Sequence, residues 1–279
     1  MKKVMVVTGA SKGIGLATTI AGLQNDYQVA ATSRNAAQLK EIVASKLADS
    51  SLLDNFYPVE MQFNEGDIHQ AIASIIDRFG RIDVLVNNAG YALLGALDEV
   101  AMDEVRANFD VNVFGLLEVT QAVLPQMKKQ HSGSIINLAS ISGTVTGPAQ
   151  GIYSATKSAV IMMSEALQDE VAADGIHVTA ICPSGVRTEF LGESMKEPEN
   201  KTNNNTAVSQ TMVGLAHLNH NQSGNPVLVA KVILKLASME QPPVRLYLGQ
   251  PALAALQQKV QQVVNSTNQN IDLSMSIDD

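Results

Sequence analysis

Tyr153 and Lys157 lie four residues apart in the stretch GIYSATKSAVIMMSEALQDEVAADG, shortly after Ser140. Val160, Met163, Ala166, Leu167 and Val171 follow at three- and four-residue steps, which predicts a helix. Residues i and i+4 share one helix face, so the phenol and the ammonium point into one space. A free tyrosine titrates near pH ~10, and a fixed cation beside it favours the phenolate and draws that value toward the range of a useful proton donor. Alone, the pair is a weak signal, because Tyr and Lys also meet at this spacing by chance on surface helices.

Positioning these groups takes a scaffold, and the alternation of patterns supplies one. Short β-branched apolar runs at 3–8, 27–33, 56–62, 82–87, 134–139, 176–181 and 244–248 read as strands. Amphipathic runs at 35–48, 67–79, 105–129 and 226–237 read as helices between them. Strands that are apolar on both faces and separated by helices imply an α/β fold, a parallel sheet covered on both sides. Right-handed crossovers then leave a ligand crevice at the carboxyl ends of the strands. Ser140 closes the fifth strand and so falls on that edge.

The first strand runs into Thr8-Gly9-Ala10-Ser11-Lys12-Gly13-Ile14-Gly15 and then a helix. Glycines at this spacing let the backbone turn tightly and approach a pyrophosphate, while the helix start presents free N–H groups. The residues from Gly9 to Gly15, with Ser11, Lys12, Gly13 and Ile14, are therefore candidates for cofactor binding; the alternative is a glycine-rich turn without a ligand. The second strand ends in Ser33 and Arg34, where an NAD-binding unit places a carboxylate for the ribose. A guanidinium pairs with a 2′-phosphate that a carboxylate would repel, and Lys12 adds a second cation, so NADP(H) is expected over NAD(H). Either cation can equally be a solvated surface group.

The fourth strand leads into Asn87-Asn88-Ala89-Gly90. Asn88 is a further cofactor-binding candidate, although such amides also satisfy neighbouring backbone groups. Asn112, in the apolar setting DVNVFG, needs a buried partner. Whether it holds a water or only packs is open at this level.

Composition limits the function classes. The 279 residues are 46% apolar, 16% charged and 4% aromatic, which describes a globular chain with an aliphatic core. A formal charge of −8 and a pI near 5.1 argue against nucleic acid or an anionic membrane as partner. The single cysteine, Cys182, excludes an internal disulfide and reads as a small core residue in IHVTAIC. No apolar run approaches ~18 residues, and the start MKKVMVVTGA reads as a strand rather than a signal, so the cytoplasm is the expected compartment. His217 and His220 lack neighbouring ligands, and no metal is expected.

TGASKGIG, NNAG, Asn112, Ser140, YSATK and the PSGVRT stretch at 183–188 resemble, in order and separation over residues 3–190, the short-chain dehydrogenase/reductase family. The resemblance implies a single Rossmann-type domain over 1–264 that transfers hydride between NAD(P) and an alcohol/carbonyl pair. It implies Tyr153 as general acid/base and Lys157 as the group that lowers its pKa and binds the nicotinamide ribose. Ser140 would bond the substrate oxygen, Asn112 would hold a water in the proton relay, and Val186 and Thr188 would contact the cofactor. It also implies a homodimer or homotetramer through the 105–129 and 153–171 helices. Two departures stand out: Gln62 replaces an Asp near the adenine, and the usual Pro-Gly appears as Pro183-Ser184-Gly185.

Beyond residue 190, the segment 190–225 reads as a substrate cover, Asn-rich at 199–206, with Met212, Leu215 and Leu218 as a helical face over a mostly apolar substrate; ordinary packing is the alternative. The run 251–264 reads as an added helix and 265–279 as a polar, acidic tail with little reason to order, its Asn265-Ser266-Thr267 sequon notwithstanding. The competing functional class is a non-catalytic NADP(H)-binding regulator or sensor.

Overall fold

Four consecutive apolar residues, VMVV, form a strand buried along its whole length, and the chain builds outward from it. In this computed structural model, residues 1–202 and 204–278 are described; Asn203, within the Asn-rich stretch, and Asp279 lie outside the described residues. The strands are β1 (Val4–Val7), β2 (Gln28–Ser33), β3 (Phe56–Glu60), β4 (Val84–Asn87), β5 (Ala92–Leu93), β6 (Gly133–Leu138), β7 (Ile176–Pro183), β8 (Met195–Lys196) and β9 (Arg245–Leu248). Seven of them form one sheet in the order β3-β2-β1-β4-β6-β7-β9, every pair parallel. All seven strands expected from the sequence are present, and the doubly wound α/β fold is as read.

Alternation along the strands feeds two cores. Met5 and Val7 face one layer with Val29, Leu23 and Ile233, whereas Val6 faces the other with Leu85, Ile72 and Val123. The strand order reverses between β1 and β4, which opens the crevice at their carboxyl ends.

The helices begin and end where local chemistry directs. In Glu65–Phe79, Asn64 accepts from the Asp67 N–H at 3.1 Å, Ile68, Ile72 and Ile75 are buried, and Gly80 ends the helix at φ 72°. The run 105–129 departs from one continuous helix. It divides into Met102–Phe109, a π turn Asp110–Phe114 and Gly115–Gln130. One extra residue in a turn leaves the apolar pattern almost unchanged, so periodicity did not reveal it.

The C-terminal region also differs from its reading. The helix runs Gln250–Gln269 and a further turn covers Ile271–Met275, so much of the expected tail is helical. Side chains supply what weak propensity lacks: Thr267 Oγ1 donates to the Val263 carbonyl at 2.9 Å, and Gln261 Nε2 donates to Asn265 Oδ1 at 2.8 Å. Among the described residues, no helix is long and apolar enough to cross a membrane.

Candidate active site

The nucleotide side of the crevice is built by close backbone approach. Gly9 has φ 66°, and a Cβ there would stand 2.8 Å from the Ala89 Cα. A Cβ at Gly15 would stand 2.5 Å from both Asn88 Nδ2 and the Gly9 carbonyl oxygen. Asn88 donates from Nδ2 to the carbonyls of Thr8 (2.9 Å) and Gly9 (3.0 Å), and Thr8 Oγ1 accepts from the Asn88 and Ala89 N–H groups. The amide of Asn88 thus spends its donors on holding the glycine loop against the end of β4. The helix Gly13–Gln24 that follows has no side-chain cap, which leaves its first N–H groups available to an anion.

The two cations expected here differ. Arg34 is exposed at the end of β2 and, among the described residues, makes no ion pair. Lys12 pairs with Glu193 at 3.3 Å, a link from the glycine loop to the covering segment. Gln62 is exposed just beyond β3.

The displaced glycine of Pro183-Ser184-Gly185 finds its reason across the crevice. Gly224 donates to the Gly185 carbonyl at 3.0 Å and accepts from the Arg187 N–H at 2.9 Å, which bridges Val186 to Gly224. In that ladder the Val186 N–H and C=O point the opposite way; the carbonyl accepts from Thr188 Oγ1 at 3.4 Å, which leaves the N–H facing the crevice for a ligand. Thr188 Oγ1 accepts from the Phe190 N–H at 3.2 Å, and a Cβ at Gly13 would stand 3.3 Å from the Thr188 side chain. Thr188 therefore abuts the glycine loop. These features suit a dinucleotide: a glycine cradle, an uncapped helix start and a backbone N–H at the far end.

The reacting side gathers four of the expected residues. Tyr153 is 7% exposed and Lys157 4% exposed, both on the helix Gly151–Val171, and the Lys157 ammonium lies 5.9 Å from the Tyr153 ring centroid. The Lys157 Nζ donates to the Leu138 carbonyl at 2.6 Å. Ser140 stands near enough to the Tyr153 phenol to pull its value down, and its Oγ accepts from the Ser142 N–H at 3.1 Å. A Cβ at Gly90 would stand 2.9 Å from Asn112 Oδ1 and 3.6 Å from Lys157 Nζ, so the π turn, the NNAG loop and the catalytic-type helix meet at one point. Asn112 is fully engaged: its Nδ2 donates to the Tyr91 carbonyl (2.9 Å) and Thr156 Oγ1 (3.1 Å), while its Oδ1 accepts from the Tyr91 N–H (3.0 Å).

Burial dominates the electrostatics. It pushes the Tyr153 phenol well above its ordinary value, against a smaller downward pull from Ser140. That direction is opposite to the one expected from Lys157 alone. Burial likewise pulls Lys157 down to about 8. Cys182 is wholly buried beside them, its thiol pushed up to about 11, which suits a core residue rather than a nucleophile.

An apolar cover closes over the phenol. Ala92, Leu94 and Tyr153 form one cluster with Phe190, Leu191, Met195, Met212 and Leu215, and the Phe190 ring stands 5.5 Å from that of Tyr153. Met212 and Leu215 are where the helical face was expected, on Thr206–Leu218; Leu218 is instead 49% exposed and takes no part. The three-residue spacing put Leu218 in the stripe, but the helix ends there and its last turn leaves the body. Phe190, Leu191 and Met195 escaped sequence reading because only the chain's return beneath β5, through the β5–β8 pair, brings them to Tyr153. Glu193 escaped for the same reason.

The short chain dehydrogenase family matches residues 3–199, and the chain belongs to that family. It is 34% identical over 254 residues to Oxidoreductase BOA17 of Botryotinia fuckeliana, covering 91% of each chain. A crystal structure of a short-chain dehydrogenase from Streptomyces avermitilis superposes with a TM-score of 0.89 at 33% identity, over 99% of this chain and 100% of that one. The NADP-bound structure of ElxO superposes at 0.74 with 30% identity, over 91% of this chain and 100% of that one. The protein is therefore an oxidoreductase enzyme of the short-chain type.

Proposed function

We propose that the chain interconverts an alcohol and its carbonyl by NADP(H)-dependent hydride transfer, with Tyr153 as general acid/base. The observation that carries this reading is the burial of Tyr153 and Lys157 together beside Asn112, with Ser140 half-buried next to the phenol, at the carboxyl edge of the sheet and under an apolar cover. NADPH, when bound, supplies the hydride. Negative charge then develops on the carbonyl oxygen, and the Ser140 hydroxyl and the Tyr153 phenol are the donors that stabilise it. A phenol held neutral by burial is suited to give up a proton at that moment. Lys157, charged below about pH 8, stabilises the phenolate left behind. The Asn112 side-chain N–H groups are committed to Tyr91 and Thr156, so neither is left to donate to a relay water.

The cofactor would sit with its pyrophosphate on the Gly9–Gly15 loop, its nicotinamide end by the Val186 N–H and its 2′-phosphate at Arg34. Ser11, Gly13, Ile14 and Thr188 line this path, and Asn88 acts through the loop it holds. Arg34 is the freer of the two cations, since Glu193 already occupies Lys12. The cluster of Leu94, Phe190, Leu191 and Met212 around the phenol favours a mostly apolar substrate within the 190–225 cover. Phe114 and Met162, 51% and 54% exposed on the helices expected to pair, support a homodimer or homotetramer. The sensor reading has no observation in its favour, because a sensor needs no buried proton donor.

The test is oxidation of NADPH by the purified protein over a panel of apolar ketones and aldehydes. Tyr153→Phe is expected to lower turnover about 10³-fold while NADPH still binds. No turnover by the wild type, or a Phe variant as fast as it, would discard the assignment. Arg34→Asp is expected to raise the Kd for NADPH about tenfold or more and to leave that for NADH nearly unchanged, by titration of cofactor fluorescence. Equal losses would remove Arg34 from the 2′-phosphate.

A further inference from the structure

Thr156 lies between Tyr153 and Lys157 in sequence and is wholly buried. A threonine within a helix commonly returns its hydroxyl to a carbonyl of its own preceding turn. Here it does so, donating to the Tyr153 carbonyl at 2.8 Å. The same oxygen also accepts from Asn112 Nδ2 at 3.1 Å, and so joins the helix that carries the phenol to the π turn. The connection continues: Asn112 holds both backbone polar groups of Tyr91, and Asn108, one turn earlier, donates to the same Tyr91 carbonyl at 3.0 Å. Gly90, the residue before Tyr91, is the one whose Cβ would stand 3.6 Å from Lys157 Nζ. One hydroxyl thus ties the helix to the π turn and, through Asn112, to the NNAG loop, whose Gly90 lies close to the ammonium.

We propose that Thr156 is a positioning residue for the reaction, setting the height of the Tyr153–Lys157 helix against the π turn and so the distance of the phenol from Ser140. This rests on the reaction proposed above. Without the hydroxyl, Asn112 keeps its bonds to Tyr91 but retains a buried N–H with no acceptor. The turn and the helix then shift to relieve it, and the phenol loses its fixed place beside Ser140. Valine keeps the branched shape and removes the bond, whereas serine keeps the bond and removes only a methyl group.

Thr156→Val and Thr156→Ser are compared with the wild type in NADPH-dependent carbonyl reduction. T156V is expected to lower kcat about tenfold, with KM for NADPH and for the carbonyl within about twofold. Its pH profile should move to higher pH by about half a unit, because a more distant Ser140 hydroxyl lowers the phenol less. T156S should stay within about twofold of the wild type in kcat. A T156V kcat equal to wild type overturns the proposal, as does a T156S variant as slow as T156V. So does a loss of kcat with an unmoved pH profile, which is what a merely structural hydroxyl would give. If T156V does not fold, Thr156→Ala is read by the same criteria. A wild type that binds NADPH and turns over nothing overturns the reaction itself, and Thr156 with it; wild-type turnover with T156V unaffected overturns only the positioning role.

Discussion

The two walls of the crevice are held by different kinds of interaction. On the wall formed by the glycine loop, β4 and the Tyr153 helix, buried and half-buried amides tie the segments together: Asn88 to the backbone of Thr8 and Gly9, Asn112 to that of Tyr91, and the Asn87 side chain to that of Asn137 at 2.9 Å. On the covering wall, the two-residue β5–β8 pair and exposed carboxylates do the holding. Glu99 accepts from the Thr202 N–H at 2.9 Å, and Glu104 accepts from the Glu199 N–H at 3.1 Å. Buried bonds are costly to leave half-made, while exposed ones exchange readily with water. The first wall is therefore built for geometry and the second for movement. Movement is needed, since the cover leaves the phenol almost wholly buried.

The sharpest way to break this contrast is at Gly15. Its Cβ would meet the Gly9 carbonyl and the Asn88 amide at 2.5 Å, and both are fixed by the bonds just described. Gly15→Ala is expected to abolish measurable NADPH binding by calorimetry and to destabilise the fold by about 2 kcal/mol or more. An alanine variant that binds cofactor normally would mean that this wall yields as easily as the cover.

That prediction draws on residues legible in the sequence, and the reason is physical. The glycine loop, Ser140 and the Tyr153–Lys157 pair are specified by short-range spacing on a strand end, a turn and one helix face. Their chemistry is local, and so is its signature. The π turn at Asp110–Phe114 was not legible, because one added residue barely disturbs an apolar period. The network of Tyr91, Asn112 and Thr156 was hidden for another reason: it joins three separated segments through single hydrogen bonds. The cover was least legible. Phe190 and Met195 reach Tyr153 only through long-range chain return, and Leu218 shares the stripe's spacing without sharing its burial.

Lys157 sharpens the contrast through pH. Its folded value of about 8 lies below its ordinary 10.5, so between those values the unfolded chain binds the extra proton. Stability then rises with pH from about 8 upward, and below that range the charged, buried amine opposes folding. The window to examine is pH 8–9, below the ordinary ranges of cysteine and tyrosine, whose raised values in Cys182 and Tyr153 act in the opposite sense at higher pH. Lys157→Met is expected to flatten a rise of about 1 kcal/mol in that window, measured by denaturant unfolding of the cofactor-free protein. An unchanged slope in the variant would place the ammonium in solvent rather than behind the phenol.

The smallest effect is expected on the covering wall. Glu99 lies on the surface, and its carboxyl is held below its ordinary value by the Thr202 hydroxyl and N–H. A lowered carboxyl supports the fold above its unfolded value and loses that support as pH falls through the folded one, so acid loosens this tie. Glu99→Gln with Glu104→Gln removes both charged caps of the segment. The melting midpoint should move by less than about 2 °C, because exposed ties of this kind contribute little to global stability. Cleavage by a protease within 190–205 should nonetheless rise several-fold, since local opening there draws on these bonds rather than on the core. If the midpoint fell as far as in Gly15→Ala, or if cleavage stayed at the wild-type rate, the cover would be part of the rigid frame, and entry of an apolar substrate would need another route to the phenol.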